Sequence, residues 1–399
     1  IVVNDAGINF AASTVRGALS ATATAGNMTD TGALTITGTS TFVTIANDAT
    51  ITLDQGGHAF TGALLITTND TSTDTAGDVT ISAGSGAVLD FGNSTIDGDL
   101  IATSSNATGI TDSGAMTVRG TASFRTTATN ADISLGTSTL GDGTGTDTIT
   151  LNTTGSTGHA TLDNGTTVVA LGTSADSLVT SVGGNLTLTS GAAAGITDSA
   201  TVTVGGNLIA TTDDNNGVID LGTLAVDGTM ALVTHNNGAA TVVNDAAIEF
   251  AASTVGGALS ATATAGNITD TGVLTITGAS TFTVANGQSV ILDESSTFST
   301  VTFAASAGTI ASVEINDSNA FDIKPLTTTG GLTVTAGGNI TDSGTVSVGG
   351  ALAVTTDANS GSIDLGDLEV NGTIALTTHS GGAATVVNDA VINFASSTV

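Results

Sequence analysis

Residues Ala351–Gly372 read ALAVTTDANSGSIDLGDLEVNG. The apolar residues fall in three alternating runs: Leu352 and Val354, Ile363 and Leu365, Leu368 and Val370. Alternation with period two puts every second side chain on one face of an extended chain, and the Asn, Asp, Ser and Gly between the runs supply turns. Each run is too short to bury a face alone. Three runs in so short a segment therefore predict three short strands that close a core only by stacking on the same strands of neighbouring segments.

Neighbouring segments repeat the plan. Asp99–Gly120, Asn185–Gly206 and Asn207–Gly228 match Ala351–Gly372 in length, Ala18–Gly38 and Ala258–Gly278 are shorter by one, Leu332–Gly350 is shorter by three and Thr229–Gly257 is longer by seven. A period near 21 with elastic turns is the signature of coils in a solenoid. Longer repeats overlie it. Val2–Phe42 recurs at Val242–Phe282 with 35 of 41 positions identical, and Gly205–Val255 recurs at Gly349–Val399 with 35 of 51 identical. The chain closes on VVNDAVINFASSTV, close to the phrase on which it opens. The expected fold is all-β: a parallel β-solenoid of roughly 19–29-residue coils, with residues 1–399 as one continuous piece of a longer array. Irregular coils are expected at about 144–184 and 279–331, the latter holding the sole Pro, Pro325, and the sole Lys, Lys324.

Composition agrees with a thin core. Aromatics are 3% of the chain and all are Phe, Cys is absent, and Gly numbers 53. A narrow stack of strands takes Val, Ile, Leu and Ala but few rings, and its inner strands exclude Pro. Phe10, Phe250 and Phe394 share one repeat position and Phe42 and Phe282 another; they either plug wide coils or form an exposed aromatic row.

Four Lys and Arg against 35 Asp and Glu give a net charge of -31. Such a surface repels phosphate, so no nucleic-acid partner is expected. No run of eighteen apolar residues occurs, so no membrane span is expected.

A phrase ending in Thr-Asp recurs five times, as NMTD, GITD, GITD, NITD and NITD, and places Asp30, Asp112, Asp198, Asp270 and Asp342 at equivalent points of their coils. These carboxylates either cap a turn by accepting backbone N–H groups or form a calcium ladder, since carboxylates at turns can share a hard cation. No other cofactor is expected. In the phrases IDLG and LDFG, Asp220, Asp364 and Asp90 alternate outward as a solvated face. The four His (His58, His159, His235 and His379) lack zinc-ligand spacing, and His235 and His379 are two copies of one position.

Polysaccharide lyases and hydrolases use solenoids of this kind, but Arg16, Arg119, Arg125 and Lys324 are the only cations and no aromatic platform exists to stack a sugar. Catalysis is not expected. T-x-T phrases such as Thr35–Thr37 and Thr187–Thr189 would suit an ice-binding face, yet ALAV at Ala351 and TIAL at Thr373 interrupt them.

The phrases GGLTVTAGGNITDSGTVSVGGALAVTT (Gly330–Thr356) and VGGNLTLTSGAAAGITDSATVTVGGNLIATT (Val182–Thr212) resemble the haemagglutinin-type repeats of filamentous haemagglutinin and related giant bacterial surface adhesins. The resemblance implies a right-handed parallel β-helix in a long secreted shaft used in adhesion or extracellular matrix; it carries no site residues over. The expected function is a structural segment of an extracellular bacterial fibre or adhesin shaft, acting by rigidity, length and self-association, with self-assembly end to end or laterally and cell-surface glycans as partners. The alternative is a carbohydrate-binding or polysaccharide-degrading β-helix, and an ice-binding solenoid stands behind it.

Overall fold

The computed structural model describes residues 1–69, 76–136, 138–143 and 146–399, and among these it contains 45 strands and no helix. Packing divides them into two units, Ile1–Gly217 with Ala225–Gly228, and Val218–Leu224 with Thr229–Val399. Each unit is a parallel β-solenoid.

In the first unit, strands Val79–Ala83, Leu89–Phe91 and Ser94–Ile96 make one coil. Leu100–Ser104, Gly109–Asp112 and Met116–Val118 make the next. Each strand lies parallel on its counterpart: Val79 pairs with Leu100, Leu89 with Ile110 and Ser94 with Met116, and Leu100 then pairs with Ala122. Side chains alternate as the sequence pattern requires. Leu100, Ala102, Ile110, Met116 and Val118 are fully buried, so three faces of alternating strands surround one apolar centre. Stability in such a stack resides in coil-on-coil contacts.

The second unit repeats the plan with Val313 on Leu332, Leu332 on Leu352 and Leu352 on Ile374. In Ala351–Gly372 the last two apolar runs join into a single strand, Ile363–Val370, and not the two strands expected. The preceding coil explains this. Ile340 pairs with Ile363 and Val346 with Leu368, so the later coil crosses the corner in one residue fewer. The shortened corner, Gly366 and Asp367, stays extended and exposed while the strand bends around it.

The expected irregular stretches behave differently from each other. Between 279 and 331 the period persists, Ser280 pairing with Val301 and Val290 with Val313; the short-period pattern is blurred because one strand, Val290–Ala305, rounds a corner unbroken. Between 144 and 184 the coils are wider: Ile133 pairs with Ala160 and Ala160 with Leu186, longer steps than the one from Val79 to Leu100. Thr144 and Gly145 lie outside the described residues.

Phe side chains fill the core from coil to coil. In the first unit Phe10, Phe42 and Phe60 meet edge to face at 5.8 and 6.1 Å, and in the second Phe282 contacts Phe250, Phe298 and Phe303 at 6.1–6.3 Å. Such geometry adds to area burial.

Candidate functional site

The five Thr-Asp phrases end three- or four-residue strands such as Met28–Asp30, Ile268–Asp270 and Ile340–Asp342. Period two places the Asp two residues after a buried Met or Ile, hence on the core side. Phe10 pairs with Asp30, Phe91 with Asp112, Leu171 with Asp198, Phe250 with Asp270 and Ile323 with Asp342. An apolar residue of the preceding coil therefore lies against each carboxyl-bearing residue.

Four of the five carboxylates reach forward to the next coil. Asp30 Oδ1 accepts the Asp54 N–H at 3.2 Å, Asp112 Oδ1 the Gly136 N–H at 2.9 Å and Asp270 Oδ1 the Asp293 N–H at 3.0 Å. Asp342 uses both oxygens, accepting the N–H groups of Gly366 and Asp367 at 2.8 Å each. Backbone groups at a corner lack a ladder partner and need one when buried. The aspartates provide it.

Where the phrase begins with Asn, a second bond forms at the other end of the strand. Asn27, Asn267 and Asn339 accept the N–H groups of Thr50, Ser289 and Ser362 through Oδ1 at 2.9–3.0 Å. The phrase N-x-T-D thus brackets its strand with two side-chain bonds to the following coil.

The same device runs up other corners. Asp78 Oδ1 accepts from Asp99 N–H and Asp99 Oδ1 from Thr121 N–H, at 2.9 and 2.7 Å. A second series passes from Asp132 to His159, from His159 Nδ1 to Asn185 and from Asn185 to Asn207, each at 2.8–2.9 Å. The Gly at each such corner is required by the fit: a Cβ on Gly98 would stand 2.5 Å from Asp78 Oδ1, and one on Gly206 would overlap Asn185 Oδ1. Burial pushes the Asp99 carboxyl above its ordinary value, with the Thr121 N–H opposing and Asp78 adding repulsion.

One carboxylate has a further partner. Asp30 Oδ2 lies 2.9 Å from His58 Nε2, with both side chains fully buried. His58 Nδ1 accepts the Leu34 N–H at 2.9 Å and the ring stacks on Phe60 at 5.5 Å. An Nδ1 that accepts leaves the proton on Nε2, so the imidazole is neutral. Burial, opposed by the attraction of Asp30, lowers the His58 pKa. Zinc-ligand spacing does not single out His58 or His159, but the context of His159 does: it stands in the phrase Gly-His-Ala in register with Gly184-Asn185-Leu186 of the next coil.

The remaining candidates are surface features. Asp220 and Asp364 are exposed, and Asp90 accepts from the hydroxyls of Thr111 and Ser113 in the next coil. His379 and Asp357, 3.8 Å apart, are both more than half exposed. Successive Thr-Asp aspartates within a unit are not brought together: three or four coils separate Asp30 from Asp112 and Asp112 from Asp198 in the first, and Asp270 from Asp342 in the second. Among the described residues no group of three or more His, Asp or Glu is placed to hold a metal ion. No helix among them is long and apolar enough to cross a membrane. A cleft of about 160 Å³ in the second unit, lined by Phe303, Ile310, Pro325 and Leu326 among others, has no titratable side chain in its wall.

A family model described as "Repeats of unknown function" (DUF5649) matches residues 1–67, 76–139, 237–305 and 310–367. Its first and third blocks correspond to the two copies of the longer repeat that open at Val2 and Val242. Neither a curated protein nor a solved structure matches the chain.

Proposed function

The chain belongs to the DUF5649 family of repeats, and from that premise we propose that this β-helical repeat protein is a structural segment of an extracellular bacterial fibre or giant adhesin shaft, without a catalytic centre. The observation that carries this reading is where the polar chemistry goes. Asp30, Asp112, Asp270 and Asp342, four of the five residues whose pattern suggested a site, hold the backbone of the next coil. Side chains engaged in this way stiffen a stack, whereas glycoside hydrolysis uses a pair of carboxylates free to flank the scissile bond.

The resemblance of Gly330–Thr356 to haemagglutinin-type repeats supports a surface or matrix role. In this reading the charge of -31 spaces neighbouring shafts in solution, and assembly is with further copies, end to end or side by side, while cell-surface glycans are the external partner.

Imaging of the purified chain by electron microscopy, together with an assay for oligosaccharides released from polysaccharide mixtures, tests the proposal. The expected result is filaments formed by association of the chains, with no oligosaccharide released. Discrete particles that release unsaturated or reducing oligosaccharides would sink it and support the polysaccharide-degrading alternative.

A further inference from the structure

Asp30 and Asp270 hold one position of the longer repeat, beneath Phe10 and Phe250 respectively. In both, Oδ1 accepts the N–H of the next corner. The surroundings of Oδ2 differ. In the first unit His58 fills the space, its Nδ1 taking the Leu34 N–H and its Nε2 meeting Asp30. In the second, Ser296 takes that place: its Oγ accepts the Leu274 N–H at 2.9 Å, as His58 does for Leu34. Ser lacks a ring to present to the carboxyl, and Asp270 Oδ2 is buried with no hydrogen-bond partner in a residue only 6% exposed.

We infer that the seam between strand Ile268–Asp270 and the corner Asp293–Ser296 is a proton-gated joint, closed while the Asp270 carboxyl is neutral and loosened when it ionises. An uncompensated buried charge is costly, so ionisation favours any motion that lets water reach it. The groups facing Asp270 sharpen the effect. The preceding coil presents the Phe250 ring, with Glu249 beside it exposed to solvent, and its own strand adds only Ile268 and Thr269. The following coil presents Asp293 and Glu294, whose N–H groups bind the carboxyl but whose own charges repel it. Burial, against those N–H groups, pushes the Asp270 carboxyl up to about 7. The folded chain therefore keeps a proton that the unfolded chain releases near its ordinary value of 3.8. Stability falls as pH rises between those values and is level above 7.

Hydrogen exchange of the intact chain, expressed as protection factors to remove the intrinsic pH dependence, reads the joint directly. From pH 5.5 to pH 8, protection of the amides of Asp293–Ser296 is expected to fall roughly tenfold or more, the equivalent of one or more pKa units of differential protonation. Asp270→Asn keeps an acceptor for the corner and carries no charge, so its protection should not depend on pH. Ser296→His, which rebuilds the partner found in the first unit, should raise protection at pH 8. Equal protection at both pH values in the natural chain overturns the inference, as does a pH-dependent loss that persists in Asp270→Asn. Should Asp270→Asn fail to fold, an unchanged pH response in Ser296→His overturns it equally.

Discussion

Asp30 Oδ2 and His58 Nε2 stand 2.9 Å apart with neither side chain reached by solvent, and they belong to successive coils of the first unit. The pair closes a corner that would otherwise carry an unmatched carboxylate. Removing one partner of a buried pair leaves the other's charge without compensation, which typically costs about 3–5 kcal/mol. His58→Ser recreates the arrangement of the second unit and is expected to destabilise the first by that amount at pH 7. Urea unfolding followed by far-ultraviolet circular dichroism measures it.

The two copies should answer pH with opposite signs. The pKa of His58 is lowered, chiefly by burial, so below its ordinary value of 6.5 the unfolded chain binds a proton that the folded chain refuses. The stability that depends on neutral His58 is complete above pH 6.5 and is lost as pH falls through the lowered value. Exchange protection of Ile51–Phe60 is therefore expected to decline on acidification below about pH 6.5, while that of Asp293–Ser296 increases. A common direction in both peptides would contradict the assignment of either group.

Asp342 is engaged through both oxygens, with Gly366 and Asp367 each donating an N–H at 2.8 Å. Bonds to a charged acceptor contribute about 1.5–3 kcal/mol each when buried, and exposure reduces that here. Asp342→Ala is expected to cost about 1–3 kcal/mol, and Asp342→Asn, which retains one acceptor, less. Because Asn339 binds Ser362 at the other end of the same strand, Asn339→Ala and Asp342→Ala should couple in a double-mutant cycle.

Much of this was legible in the sequence. Alternation in Ala351–Gly372 and the recurrence of segments of nearly equal length sufficed for a parallel solenoid, because period and turn chemistry act locally. The direction of the Thr-Asp carboxylates was legible too, since Ile340 and Asp342 share a face in any strand, but the surrounding turn residues drew the reading toward a local cap. The bond partners could not be read. Asp342 meets Gly366 only through coil register, which depends on the length of every intervening turn. The pairing of Asp30 with His58, and its absence at Asp270, rests on the exchange of His58 for Ser296, which lies in a stretch where the two copies differ in both sequence and length, so a fixed shift of 240 does not align them.

Glycine offers a test of the corner bonds that does not alter any acceptor. At Gly98 a Cβ would collide with Asp78 Oδ1 at 2.5 Å and with the Asp78 and Gly77 backbone at 2.7–2.8 Å, whereas at Gly56 nothing lies within 4 Å. Gly56→Ala is expected to be neutral or stabilising by up to about 1 kcal/mol through the unfolded chain. Gly98→Ala must displace the Asp78 side chain and part the coils, and is expected to cost about 2–4 kcal/mol, in the range of overpacking and lost bonds combined. Comparable melting temperatures for the two variants would show that the Gly-Asp and Gly-Asn phrases are not held by this contact.

Calcium removal separates the two readings of the Thr-Asp phrase. Three or four coils of about 4.8 Å intervene between Asp30 and Asp112, and again between Asp112 and Asp198, which is on the order of 15–20 Å in each case. Calcium needs six to eight oxygens at about 2.3–2.6 Å. No two of these carboxylates can share an ion across that distance, and the oxygens of Asp30 and Asp112 are already turned to Asp54, His58, Gly136 and Ser138. Melting of the intact chain is thus expected to be the same in millimolar calcium and in excess chelator. A calcium-dependent rise in melting temperature that Asp112→Asn abolishes would return the ion to this corner, because binding to the folded state alone must stabilise it in proportion to occupancy.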